Sequence, residues 1–399
     1  MNLNRRIHGA IAMGLVWGTP TPLLACAALA AWMSSAAVAH AQEGPPQSIV
    51  DGVVRSVCQK QVVLLGESPT HGEARGFDLK ARITDRLLAQ CGFTAVLFEA
   101  PIYDFVGLER AVGARTAVAE QLDNAVGRFW WTRELAPWRR ALFEAAAQKR
   151  LVLGGLDDQV SITSQYARAE LPPLIAAASP EGTAAECREV ATRHLGWTYD
   201  ANRPFDEREQ RRLQRCARNA ADAIAASRSA DAADRVMLAS FARYADRQIP
   251  GMTLGRDESM FQNLVWYLDR MPANSRVVVW AATVHAARAQ ASLSERPLGA
   301  HAVERWGDRV GAIGLTAYAG FTSRAGRPPS PIAEAPAASL EATATSASPW
   351  ALLDSAKLQT IGRVSSRLLG KFATETWSEY FDAVIVVRQE AAPTFDPWK

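Results

Sequence analysis

The chain has 399 residues, 48% of them hydrophobic and 21% charged, enough for one large α/β domain or two smaller ones. Its formal net charge of +3 falls to +1 once an N-terminal leader is set aside, leaving 42 basic against 41 acidic residues. A balance this even implies neither a nucleic-acid partner nor an acidic membrane surface, and no internal repeat is visible.

Residues 1–41 hold Arg5 and Arg6, then a mostly apolar stretch rich in Ala and Leu, then Ala39-His40-Ala41, a small-x-small cleavage signal. They read as a secretory signal peptide. Gly18, Pro20 and Pro22 interrupt the apolar stretch, which argues against a stable membrane span. Leu23-Leu24-Ala25-Cys26 resembles a lipoprotein box, but the apolar run continues past Cys26, where a mature lipoprotein turns polar. The expected location is therefore secreted or periplasmic. Four cysteines remain after the leader, an even number in an oxidising compartment. Cys58 and Cys91 precede the first two strands, while Cys187 and Cys216 share a helix-rich stretch. The expected pairs are Cys58–Cys91 and Cys187–Cys216, with buried free thiols as the alternative; neither spacing resembles a zinc site.

Val62-Val63-Leu64-Leu65-Gly66 is an apolar run cut short by glycine, and Glu67, Ser68, Thr70 and His71 follow at once. This is the pattern of a strand buried on both faces that ends in a polar site, and parallel sheets bind ligands beyond such carboxyl ends. From Phe77 to Gln90, Leu79, Ile83 and Leu87 recur every four residues among charged neighbours, which predicts an amphipathic helix. Thr94 to Phe98 is a second buried run, ending in Glu99, so two carboxylates are expected at one edge of the sheet.

Leu65-Gly66-Glu67 through Thr70-His71-Gly72, the helix Lys80-Ala81-Arg82-Ile83-Thr84, and Gly92-Phe93-Thr94 ending in Glu99 together resemble the erythromycin esterase-like family. The likeness spans most of the chain after the leader. It departs at Ser68-Pro69, two residues where the family has one, and at Lys80, where the family usually has Arg. Further along, an aromatic segment with Phe129, Trp130, Trp131 and Trp138 leads to a Gly-Leu-Asp strand, Leu151 to Asp157, as in the family. Asp157 is a third acid past a strand, and structurally it could instead cap the next helix. The tryptophans read first as core, with Trp131 a candidate wall for an apolar substrate.

Ser161 to Leu254 is dense in Ala, Arg, Glu and Gln and reads as a helical insertion (161–254) over the carboxyl edge of the sheet, a possible lid. Arg256-Asp257 opens another helix and resembles the family's Arg-Asp segment. A third buried strand, Arg276 to Ala281, has His285 just beyond it. The family pattern here is Trp-Ala-His-Asn-x-His, and this chain reads Trp280-Ala281-Ala282-Thr283-Val284-His285, keeping only the last histidine. Val310–Leu315 and Phe381–Val387 are further strands, and 326–349, rich in Pro, Ala, Ser and Thr, is expected to be a mobile loop.

The expected architecture is α/β, a mainly parallel central sheet flanked by helices, with residues 42–399 as one domain. The candidate catalytic residues are Glu67, His71, Glu99 and His285, from three strand ends. His71 is the candidate base for a water molecule, with the carboxylates orienting it. Lys80, Asp157, Arg256 and Trp131 are candidate substrate-binding residues. Gly66-Glu67-Ser68-Pro69-Thr70 lacks the last glycine of a nucleophile elbow, so Ser68 is a weak nucleophile candidate. Two Glu and two His could hold a divalent metal, but the resemblance implies metal-free, cofactor-free hydrolysis of a small-molecule ester or lactone. Nothing in the residues singles out a macrolide. The alternative is a catalytically degenerate extracytoplasmic binding protein using the same cleft.

Overall fold

The computed structural model describes residues 44–161, 163–251, 255–290 and 293–395. The segment expected to be a leader, with its Cys26, lies outside them. Among the described residues ten strands form, in chain order: β1 Val62–Leu65, β2 Phe93–Pro101, β3 Val152–Asp157, β4 Arg276–Trp280, β5 Val310–Thr322, β6 Ser330–Ile332, β7 Trp350–Asp354, β8 Arg363–Ser366, β9 Ala373–Thr376 and β10 Ala383–Glu390. Eight of them make one sheet in the order β3-β2-β4-β1-β5-β10-β7, with β6 alongside β5, while β8 and β9 pair as a separate ribbon. Within the eight-stranded sheet, neighbours from β3 to β10 run parallel, while β6 and β7 run antiparallel to theirs; the β8–β9 ribbon is antiparallel as well.

The buried runs explain this sheet. Every residue of β1 is buried. Val62 and Leu64 pack into the core on one face while Val63 and Leu65 pack into the core on the other, as period-two alternation requires in a strand covered on both sides. The helix Ala74–Gln90 begins three residues before the periodicity suggests and buries Phe77, Leu79, Ile83 and Leu87. The first disulfide, Cys58–Cys91, forms at the amino edge, where the Arg276 guanidinium donates at 2.7 Å to both cysteine carbonyls. The second, Cys187–Cys216, ties two helices of the segment between β3 and β4.

That segment contains the helices Gln165–Ala178, Ala184–Gly196, Glu207–Ala226 and Ala232–Arg247. Their apolar faces join the core that also holds Tyr103 and Tyr267. The stretch 326–349, expected to have little to build with, instead carries β6 and the helix Leu340–Ala344. Its anchor is a polar one. Glu341 is fully buried and its Oε1 accepts from Thr316 Oγ1, Ser366 Oγ and the Arg367 backbone N–H, so hydrogen bonding does there what apolar composition could not. No described helix is long and apolar enough to cross a membrane.

Candidate active site

The carboxyl ends of β3, β2, β4 and β1 are adjacent, so Asp157, Glu99, the segment after Trp280, and Glu67 come together. A Cβ at Gly66 would run into Thr283 and the Ile313 carbonyl, which is why only glycine lets the chain leave β1 here. Glu67 follows, almost fully buried, and its carboxylate meets four partners. Oε1 accepts from the Trp130 indole at 2.7 Å and faces His71 Nδ1 at 2.6 Å. Oε2 accepts from Lys80 Nζ at 2.6 Å and from the Trp280 indole at 2.9 Å. Burial pushes the Glu67 carboxyl up, but the Lys80 ammonium and His71 more than offset this and hold it below its ordinary value. An ionised Glu67 can only accept, so the proton of neutral His71 sits on Nδ1 and Nε2 keeps its lone pair.

The two residues Ser68-Pro69 do not spoil this pairing. The His71 N–H donates to the Ser68 carbonyl at 3.0 Å, closing a turn, and His71 takes a left-handed φ of 50°. The turn absorbs the extra residue and returns the imidazole to Glu67. Gly72 comes next because a Cβ there would overlap the Ser323 carbonyl. The His71 ring lies 4.5 Å from Phe129 and meets Trp130 edge-on at 5.4 Å, with Nε2 3.8 Å from Glu99 Oε1.

Glu99 stands where the pairing of β2 with β3 shifts register between Phe98 and Pro101, an irregularity that re-aims a side chain at a strand end. Its Oε2 accepts from the Ala282 N–H at 2.8 Å and its Oε1 from Arg256 Nη2 at 2.9 Å. His285 is clamped between acids, Nδ1 at 2.7 Å from Asp257 Oδ1 and Nε2 at 3.1 Å from Glu99 Oε1. Burial alone would lower its pKa, but Glu99 and Asp257 raise it to about 10, so His285 is an imidazolium at neutral pH. Burial likewise pushes Glu99 up, and His285 above all, with Arg256, holds it well below its usual value.

The charge on His285 bears on Arg256. Nε and Nη2 of the guanidinium are held by Asp157, at 3.2 Å and 2.6 Å, and Nη2 also by Glu99. Nη1 lies 3.3 Å from His285 Nε2, but an imidazolium nitrogen is itself a donor, so this approach consumes no proton. With His285 protonated, the Nη1 protons remain for a ligand.

His71, Glu99, Asp157, Arg256, Ala282 and His285 all line one cleft of about 640 Å³, whose apolar wall includes Pro69, Val126, Phe129, Val160 and Phe395. Glu67 lies behind His71. Lys80, expected at the substrate, does not line the cleft: helix periodicity turns it inward, where it bonds Glu67 and the Ala281 carbonyl and sits 4.4 Å from the Trp280 ring centroid. Burial draws it down to about 8 despite the opposing pull of Glu67. Trp131 is half-buried and does not line the cleft either. Its neighbour Trp130 is the one directed at Glu67, because the helical turns Ala119–Trp130 break at Gly127, with φ 70° and ψ −167°. Trp130, Trp280 and Asp257 are the residues that sequence reasoning passed over. Trp280 and Asp257 did have a signal, the first in the strand-end pattern that leads to His285 and the second beside Arg256.

Of the two positions where the family's His-Asn pair is replaced, Ala282 lines the cleft, whereas Thr283 is buried and pairs through Oγ1 with both the carbonyl and the N–H of Leu315, each at 3.1 Å. Between β3 and β4, the residues that line the cleft are Asp157, Gln159, Val160, Ser161 and Arg256, at the two ends of the helical segment, and none comes from its four helices. Among the described residues no group of three or more His, Cys, Asp or Glu is placed to hold a metal ion.

The sequence matches the erythromycin esterase family over residues 88–390. No protein with a curated description matches it. Among solved structures, it is similar to one described as a succinoglycan biosynthesis protein, with 15% identity and a TM-score of 0.67 over 88% of this chain and 93% of that one. A protein from Bacillus cereus gives 16% identity and a TM-score of 0.67 over 87% and 93%. A histidine-to-asparagine variant of the erythromycin esterase EreC, in its open conformation, gives 16% and 0.57 over 85% and 93%. At such identities these likenesses establish the shared fold.

Proposed function

The chain belongs to the erythromycin esterase family, and from that premise we propose that it is an exported hydrolase that cleaves a carboxylic ester or lactone with a water molecule activated by His71. The observation that carries this reading is the pairing of Glu67 with His71 Nδ1 at 2.6 Å, which leaves Nε2 as an acceptor in the cleft. Water held at Nε2 gives up a proton as its oxygen attacks the substrate carbonyl carbon. The new imidazolium is stabilised by Glu67 on one side and by Glu99, 3.8 Å from Nε2, on the other. The carbonyl oxygen gains negative charge facing Arg256 Nη1, so Arg256 takes the oxyanion role that Lys80 was expected to fill. His285, with both ring protons engaged, holds Glu99 in place. Collapse of the tetrahedral intermediate breaks the C–O bond, and His71 returns the proton to the departing alkoxide. The products are an acid and an alcohol, or one hydroxy acid from a lactone. Two disulfides fit an oxidising compartment.

A second reading, a non-catalytic binding protein, draws on one observation: Ala282 brings a methyl group into the cleft where the family pattern has an imidazole. Both readings meet the same assay. Purified mature protein is expected to turn over members of a panel of esters and lactones, with turnover unaffected by a chelator and lowered by about 10²- to 10⁴-fold in His71→Ala. No turnover of any, with ligand binding retained, overturns the hydrolase reading; loss on chelation moves the chemistry to a metal.

A further inference from the structure

The charges that line the cleft are not balanced. Glu99 and Asp157 are its only lining carboxylates among the described residues, and both are engaged, Asp157 by Arg256 and Glu99 by Arg256, His285 and the Ala282 N–H. Asp257, behind the wall, offsets His285, and Lys80 offsets Glu67. Arg128 and Arg324 also line the cleft, and among the described residues no further lining acid is present. Among the described residues an excess of positive charge is therefore left, bordered by Phe129, Val160, Pro69 and Phe395. Apolar walls strengthen the field of a charge beside them.

Arg324 is the outlying member. Its side chain is exposed, and no described residue forms an ion pair or hydrogen bond with its guanidinium. Its backbone is well anchored, however. The neighbouring Ser323 is buried, donates its N–H to the Gly72 carbonyl at 3.0 Å, and donates Oγ to the Arg327 carbonyl at 3.0 Å. The loop that presents His71 and the loop that presents Arg324 are thus stitched together, so the backbone that carries Arg324 keeps a set place relative to the base. A ligand amine would enter facing Arg256 and Arg324.

We propose that the cleft selects anionic esters, those with a carboxylate on the acyl or alcohol part, and that Arg324 at its mouth is the specificity-determining residue for that carboxylate. This names the substrate class of the hydrolase read above and rests on that reading. It requires a bifunctional substrate: the ester carbonyl at His71 and Arg256, the second carboxylate towards Arg324.

The test compares a neutral phenyl ester with the phenyl half-ester of a dicarboxylic acid of equal length. The wild-type enzyme should favour the half-ester in kcat/KM about tenfold, through KM, and the preference should shrink as salt is raised. Arg324→Glu should erase or invert the ratio, and Arg324→Lys should keep part of it. In parallel, binding of the free dicarboxylate is followed by tryptophan fluorescence. Equal kcat/KM for the two esters, or a preference indifferent to Arg324→Glu, overturns the proposal while leaving the hydrolase reading standing. Dicarboxylate binding that is lost in Arg324→Glu, without turnover of either ester, overturns the hydrolase reading and sustains the anion site. Neither turnover nor binding overturns both.

Discussion

Glu67 Oε1 and His71 Nδ1 lie 2.6 Å apart, joined by a turn of the chain and not by a helix, although the residues are four apart in sequence. The carboxylate fixes which nitrogen carries the proton, and with it the presence of a base in the cleft. Glu67→Gln would keep the shape but offer an amide that can donate to Nδ1 and turn the lone pair away from the substrate. Its kcat should fall by about 10²- to 10⁴-fold, and His71→Ala should fall comparably. The double variant should be little worse than either single, since the two act as one unit. Additive losses would show that they work separately.

Lys80 exerts its effect through the same carboxylate. Lys80→Met leaves Glu67 buried with its cation gone, a change that costs about 3–5 kcal/mol in comparable buried pairs. Urea denaturation should show that loss, and Glu67→Gln added to Lys80→Met should recover much of it. A stable Lys80→Met protein would mean that the two indoles suffice to hold the charge.

Gly127 is the residue whose conformation directs Trp130. With φ 70° and ψ −167° it occupies a region nearly restricted to glycine, and Gly127→Ala should cost about 1–3 kcal/mol or shift the backbone. The Thr163 hydroxyl, 3.3 Å from where the alanine methyl would sit, leaves little room to relax. Chemical denaturation measures the first outcome. If the backbone moves instead, Trp130 withdraws from Glu67 and kcat drops with stability unchanged.

The Cys58–Cys91 bridge joins residues 33 apart at the amino edge, and Cys187–Cys216 joins residues 29 apart in the helical segment. Loops of that length should each contribute roughly 3–4 kcal/mol. The Cys58→Ser/Cys91→Ser protein should melt earlier yet keep its kcat at 25 °C, because its bridge is across the sheet from the cleft. Non-reducing peptide mapping that returned free thiols or crossed pairs would contradict both bridges.

What could be read from the sequence follows from how each feature is encoded. Buried strands such as Val62–Leu65 and Arg276–Trp280 are continuous apolar runs, and a run that stops at Glu67 or Glu99 announces a polar strand end, so the sheet and the meeting of Glu67, His71, Glu99 and His285 were within reach. Direction within an element was not. Lys80 faces the core and Trp130 replaces Trp131 because of a helix phase and a glycine kink, neither of which composition reveals. The order in 326–349 depends on Glu341, a buried acid in a stretch whose apolar content gives no hint of it. The protonation of His285 needs Asp257 and Glu99 in space at once.

That protonation has a consequence for pH. The folded-state pKa of His285 is about 10, above the roughly 6.5 of an unfolded histidine. Between these values the folded protein holds the proton more tightly, so the contribution is complete below pH 6.5 and is lost as pH rises towards 10. Lys80, lowered to about 8, has the opposite sign: the folded state sheds its proton first, and stability gains from pH 8 to about 10.5. The window from 6.5 to 8 therefore isolates His285 from Lys80. Glu390, raised to about 8 by burial and by Glu73, loses stability over pH 4.5 to 8 and contributes to the same slope. The diagnostic is hence the difference between two proteins. His285→Gln should be less stable than wild type at pH 6, and the gap should narrow steadily to pH 8 when both are unfolded in urea across the range. A gap that stays constant with pH would mean that His285 is neutral in the fold, in which case Arg256 Nη1 donates to its Nε2 and is not available to a substrate carbonyl.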